Sequence, residues 1–439
     1  MHGFLRGLCS VHWTPAALVV VALAACAPAP TPAPTRPPST LPTNTALPPE
    51  TPAPQQTSGL ILIPTPTPTP PAPTSTPAAS STLVTITYIK MIDLMTGWAE
   101  GEVGTDGETH ILRTSDGGAT WRDVSPVLVD RFGQDAFFLD AQVAWVWNAD
   151  LGESWRTQDG GQSWTPVENV GWTHAIWFND SQHGWRLDAE SWGLSFVQFD
   201  IVSFATTQDG GQTWEETNPP PGGGPAFMAY PDAQTAWAIR AGFAKTIEGV
   251  PNLGIPFSIH TTFDGGRTWK SQTMPLPDES FPAEIDVGGP YLGGVGNCDF
   301  VSPVYSSTAT WKLALTCEDQ SWMYTTANQG QTWIINPMPA GLETGIQFIN
   351  PTIGWLALRD PESHSQGHLY QTTDGGQSWT LIKRTGWTGV QLDFLDAQTG
   401  WGVACSNAWY CYQDDARHAL VKTTDGGRTW RIIEPELAP

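Results

Sequence analysis

The chain has 439 residues, a formal net charge of −23, 23 Trp and 16 Phe. An acidic balance of this size excludes the usual electrostatics of nucleic-acid and anionic-membrane binding, which need clustered Lys and Arg. The length suits one large all-β domain as well as two or three smaller ones, and the aromatic content is enough for a large core.

Residues 1–25 read as an export signal: Arg6 supplies the positive charge, and the apolar run Ala16 to Ala25 is too short for a membrane-spanning helix. The run ends Leu23-Ala24-Ala25-Cys26, which looks like the lipobox of bacterial lipoproteins. There the Cys is lipidated and becomes the mature N-terminus. The other reading is an ordinary signal cut near Ala25, with Cys26 incidental. Lipidation at Cys26 places the protein on the outer, extracytoplasmic side of a bacterial membrane. Residues 26–82 are then the anchor Cys and a disordered linker of Pro, Thr, Ala and Ser, typified by Thr65-Pro66-Thr67-Pro68. Such composition buries no core and favours extended, polyproline-like states. Leu60 to Ile63 interrupt it, and the composition does not explain them.

From residue 83 to 435 the chain repeats itself. An eight-residue box, Thr114-Ser-Asp-Gly-Gly-Ala-Thr-Trp121, recurs with its closing Trp at 164, 214, 269, 333, 379 and 430. Asp holds its third place at Asp116, Asp159, Asp209, Asp264, Asp374 and Asp425; the fifth copy has Asn328 followed by Gln329. A second motif alternates with the box, a turn residue five positions before a Trp: Asp93…Trp98, Asp140…Trp145, Asp180…Trp185, Asp232…Trp237, Asn350…Trp355 and Asp396…Trp401. In the fifth repeat it reads Ser306…Trp311, so one repeat is degenerate in both motifs.

Each unit predicts four short antiparallel strands. A β-run leads into an Asp-led turn, where the short side chain bonds nearby backbone N–H groups. A second strand starts at the Trp, and a third runs into the box, a hairpin whose glycines allow positive φ. The box Trp starts the fourth strand and is expected to pack between sheets. Seven such units make an all-β, seven-bladed β-propeller of four-stranded antiparallel blades. First and last units look complete and no clear swapped strand closes the ring, an interlocking strand being the alternative; 436–439 read as a tail.

These residues resemble the Asp-box (BNR) propellers, which include sialidases, xyloglucan-cleaving glycoside hydrolases, sortilin-type receptors and photosystem II assembly/stability factors. The pair Phe394-Leu-Asp-Ala-Gln-Thr-Gly-Trp401 and Thr423-Thr-Asp-Gly-Gly-Arg-Thr-Trp430 looks most like the assembly-factor type. That resemblance implies a non-enzymatic, extracytoplasmic assembly helper, often lipid-anchored. The box itself speaks to fold and hardly to function.

Function is sought where the repeat breaks. From a box Trp to the next strand-two Trp the spacing is 21–24 residues, except for 42 between Trp269 and Trp311; within units it stretches to 29, 32 and 29 after Trp185, Trp237 and Trp401. All four expansions fall in connections that leave the blades opposite the boxes, a face suited to binding a protein or glycan partner. Candidate residues there are Trp172, Arg186, Arg240, Arg359 and Trp387. Four Cys remain in the exported part. Cys298 and Cys317 flank the first turn of blade five almost symmetrically, and Cys405 and Cys411 can close a small loop; crossed pairing between blades five and seven is the alternative.

The competing reading is a glycoside hydrolase, sialidase-like or xyloglucanase-like, using two carboxylates from Asp188, Glu190, Glu248, Asp278, Glu279, Glu284 and Asp286. The only Arg-Pro step, Arg36-Pro37, lies in the linker, away from any sialidase-type signature. His364 and His368 have a suggestive spacing but no third ligand. No catalytic residue, metal or cofactor is assigned.

Overall fold

The computed structural model describes residues 83–438, apart from 106, 128–133, 149–151, 168–172, 192–198, 222–225, 241–257, 276, 278–297, 308, 318–319, 361–365, 388 and 407–416. Seven antiparallel sheets follow one another along the chain, each with its strands in sequence order. Among the described residues there is no helix. First strands of most successive blades pack on one another, and amide side chains rivet two of these joints. Gln347 of blade six donates from Nε2 to the Phe394 carbonyl (3.3 Å) and accepts the Phe394 N–H (2.7 Å). Gln391 of blade seven grips both backbone groups of Ile89 in blade one in the same way.

The Phe-x-Asp-x-x-x-Gly-Trp pattern has a steric cause. The aromatic that ends strand one lies flat over the Gly that opens strand two. A Cβ on Gly184, Gly354 or Gly400 would come within 2.6, 2.7 or 2.5 Å of the Phe178, Phe348 or Phe394 ring. On its other face the ring meets the Trp of the preceding blade: Trp145 stacks on Phe178 at 3.5 Å and Trp355 on Phe394 at 3.6 Å. All seven strand-two Trp are fully buried, and these residues, more than the box Trp, wedge the blades together. Of the box Trp only Trp121 is fully buried. It alone lies within a fourth strand (Thr120–Asp123), whereas the others stand just before theirs.

Turn chemistry repeats with the sequence. Asp93 Oδ1 accepts the N–H groups of Met95 and Thr96 at 2.8 and 2.7 Å, and Asp140, Asp180, Asp232, Asn350 and Asp396 do the equivalent. In blade five the role falls to Ser307, whose Oγ accepts from Thr310 N–H at 3.0 Å, one place later than the Ser306 that spacing suggests. In each box the Asp carboxylate accepts from the backbone and hydroxyl four residues on, as Asp264 does from Thr268 at 2.9 and 2.6 Å. Asn328 keeps this frame with one bond reversed, its Nδ2 donating to Thr332 Oγ1 at 2.9 Å. Gln329 beside it has φ 59°, the one positive φ outside glycine among the described residues.

These bonds carry a pH prediction. The Thr268 and Thr429 hydroxyls and amides hold Asp264 and Asp425 at about 2, below the ordinary 3.8. A carboxylate depressed in the folded state contributes stability that is full above the unfolded value and lost as pH falls through the folded one. Stability is therefore expected to fall between about pH 4 and pH 2. Tryptophan fluorescence during acid titration checks it, and the double substitution Asp264→Asn/Asp425→Asn should flatten that limb. An unchanged acid limb would refute the assignment.

The last residues take part in closing the ring. Glu436–Leu437, read above as tail, adds a fifth strand to blade one, parallel to Thr120–Trp121. Glu436 N–H donates to Ala119 O at 3.1 Å, and Leu83 bridges to Glu436. Inside, Trp401 and Val403 of blade seven pack on Val84, Ile86, Ile89 and Met91 of blade one. Two complete blades can meet this way because the last strand covers the joint from outside.

Candidate functional site: the face opposite the boxes

Strand register fixes where the expansions leave. Gly184–Ser191 pairs with Phe199–Thr207 out to Ser191↔Phe199, Ala236–Arg240 with Ser258–Thr262 out to Arg240↔Ser258, and Gly400–Ser406 with Arg417–Thr423 out to Ser406↔Arg417. Lys270–Thr273 and Cys298–Ser306 bracket the longest insert. At every one of these ends the box hairpin lies at the other. The inserts themselves, with Trp172, Cys411, His364, Glu248, Asp278, Glu279, Glu284 and Asp286, lie outside the described residues, as do the side chains of Glu190 and Arg240. Cys26 lies outside them too.

The box face is occupied with holding the ring. Arg113 Nη1 and Nη2 donate to the carbonyls of Gly97 and, in blade two, Ala141, with the guanidinium 4.6 Å over Trp98. Arg156 repeats this over Trp145, reaching Ser181 of blade three. Gln272 donates to Gly330 of blade five, and Lys312 to Gly375 of blade six at 2.7 Å. Burial lowers the Lys312 ammonium to about 8, with Asp374 opposing the shift. A groove of about 420 Å³ lies on this face between blades one and two, lined by Arg113, Arg122, Gln142 and Asp159 among others. Sequence reasoning missed these cations; for Arg113, Arg156 and Lys422 the signal was a Lys or Arg directly before the box Thr, which the register sets opposite Trp98, Trp145 and Trp401, whereas Lys312 follows its strand-two Trp, Trp311.

Of the candidates on the other face, Arg186 and Arg359 are buried and form no open basic patch. Strand alternation is the reason: the register that turns Trp185 towards blade four turns Arg186 towards blade two. Arg186 Nε and Nη2 donate to Asp188 Oδ2 at 3.1 and 3.0 Å, and its guanidinium lies 5.4 Å from the Trp214 ring. Asp188 is thereby the anion of a buried pair. Trp387 is half-buried, edge-on to Trp430 at 5.3 Å. His368 is half-buried too, 3.4 Å from the Arg384 guanidinium. Cys298 stands directly opposite Cys317 in register, and Cys405 is disulfide-bonded. Among the described residues no three His, Cys, Asp or Glu gather as metal ligands.

The Arg186–Asp188 pair sits in a polar seam. Asp188 is opposite Ser203 in blade three, and Trp147 opposite Ser154 in blade two. Trp147 packs with Ile176, the cross-strand partner of Arg186. Trp147 Nε1, Ser154 Oγ and Ser203 Oγ are buried without a hydrogen-bond partner. A charge-neutral ion pair flanked by spare N–H and O–H groups can hold water or another small hydrogen-bonding guest. A second buried carboxylate, Asp393, accepts from Met91 N–H at the blade seven–one joint and lies 3.6 Å from Lys90 Nζ; burial raises its pKa. Its signal was an acid inside a mostly apolar β-run.

Solved structures with this architecture include YCF48 from Cyanidioschyzon merolae (14% identity, 79% of this chain and 97% of that one, TM-score 0.47) and YCF48 bound to a D1 peptide (16%, 80% and 81%, 0.35). The GH74 xyloglucanase from Xanthomonas campestris matches at 15% identity over 68% of this chain and 44% of its own, with TM-score 0.43. No protein-family model and no curated protein matches the chain.

Proposed function

We propose that the chain is a non-catalytic propeller scaffold, anchored through a lipid on Cys26 and displayed outside a bacterial membrane, that binds a protein or glycan partner through the face opposite the boxes. One observation carries this reading: the two faces are unequal. On the box face side chains are consumed in clasping one blade to the next. Every departure from the repeat length leaves from the other face, the arrangement in which a rigid scaffold presents variable connections to a ligand. The disulfide at Cys405 suits an oxidising compartment.

Photo-crosslinking distinguishes the faces. A crosslinker at Ser406, where the blade-seven insert leaves, is expected to trap a partner on the displayed protein; one at Gln142 on the box face is not. Adducts from Gln142 alone would reject the assignment. Turnover of any member of a broad glycoside panel would reject the non-catalytic part of it.

A further inference from the structure

The outer edges of the blades are treated unequally. The fourth strands of blades one to seven have 4, 2, 3, 4, 4, 6 and 3 residues. A fourth strand is the free edge of its blade, and an open edge invites another strand; proline and shortness are the standard ways to blunt it. Six of the seven are cut off by proline within or shortly after the strand: Pro126, Pro166, Pro219, Pro275, Pro337 and Pro435. Blade one has a cover as well, the parallel strand Glu436–Leu437. The exception is blade six. Its fourth strand, Thr380–Thr385, is the longest, runs on into Gly386 and Trp387 without a proline, and ends its sheet with no further strand among the described residues.

We propose that this edge is a strand-addition site for an extended, acidic segment of a partner protein. Blade one shows that a fourth strand of this ring can accept such an addition. The edge reads Thr-Leu-Ile-Lys-Arg-Thr, with Lys383 and Arg384 adjacent in a protein of net charge −23, so charge selects an acidic segment. Thr380, Leu381 and Arg384 are exposed, offering an apolar and a cationic contact beside the backbone ladder. In this mode main-chain hydrogen bonds supply affinity and alternate side chains supply specificity. The contact runs along the rim from the box hairpin to the end of the strand beside Trp387, and the peptide tests below read it without reference to the inserts.

The test uses a ten-residue peptide of alternating Glu and Val, its Lys-Val counterpart, and the Glu-Val peptide N-methylated at every second amide, each titrated into the full chain. The Glu-Val peptide is expected to bind, the Lys-Val peptide to bind at least tenfold more weakly, and N-methylation to abolish binding, because a methylated amide cannot donate to the ladder. Lys383→Glu/Arg384→Glu should weaken Glu-Val binding at least tenfold, and the milder Arg384→Gln should weaken it less. Equal binding of methylated and unmethylated peptide would overturn strand addition and leave only a charged patch. No binding of the Glu-Val peptide would overturn the proposal outright. The peptide comparisons do not depend on how a variant folds.

Discussion

Trp401→Ala is expected to cost about 3–5 kcal/mol, the range for emptying a large aromatic site in a core. That is a large part of the roughly 5–15 kcal/mol that holds a domain together. Trp401 is fully buried at the joint where blade seven meets blade one. Its indole N–H donates to Gly117 O at 2.9 Å, and Lys422 Nζ lies 4.1 Å over its ring. Removing it opens a cavity, strands a carbonyl and leaves a half-desolvated cation without its ring. The loss also falls on the one joint whose two sides are far apart in sequence. Denaturant unfolding followed by fluorescence measures it. A control separates packing from hydrogen bonding. Trp237 stacks on Trp311 at 5.1 Å but its indole N–H has no acceptor, so Trp237→Phe should cost less than Trp401→Phe. Equal costs would mean that the indole bond contributes nothing to closure.

Cys26→Ser is expected to move the protein entirely from the membrane to the soluble fraction. The proposed anchor is a lipid attached at that sulfur, and each buried methylene of an acyl chain is worth about 0.8 kcal/mol. With a net charge of −23 the chain gains little electrostatic attraction to an anionic bilayer. Among the described residues no helix is long and apolar enough to cross a membrane. Fractionation of cells expressing both forms, with metabolic labelling by a clickable fatty acid, reads the outcome. Retention of the Ser form in the membrane fraction would reject the anchor. Retention without label would point to an uncleaved signal instead.

The fold was legible because it is written seven times. A single Asp-Gly-Gly turn or Gly-Trp step means little. Repetition of both at one period determines blade number, strand order and the turn residue in six of the seven units, since each answers to local chemistry: a carboxylate four residues from the N–H it accepts, a glycine where an aromatic ring leaves no room for Cβ. Even the degenerate blade was visible as such, although the shift from Ser306 to Ser307 was not, because spacing alone does not say which of two serines turns its hydroxyl inward.

What the sequence could not show was everything that depends on which side of a strand faces which neighbour. Arg186 follows a Trp and looks like a surface cation. Burial in the seam between blades two and three makes it half of an ion pair with Asp188. Arg113, Arg156 and Lys312 look unremarked in sequence, yet they tie one blade to the next. The last residues look like a tail and are a strand, because their partner, Thr120–Trp121, lies more than 300 residues earlier. Local patterns specify local bonds, and repeats multiply them. Contacts between blades, closure of the ring and exposure of the Thr380–Thr385 edge arise only when seven copies are brought round to meet the first.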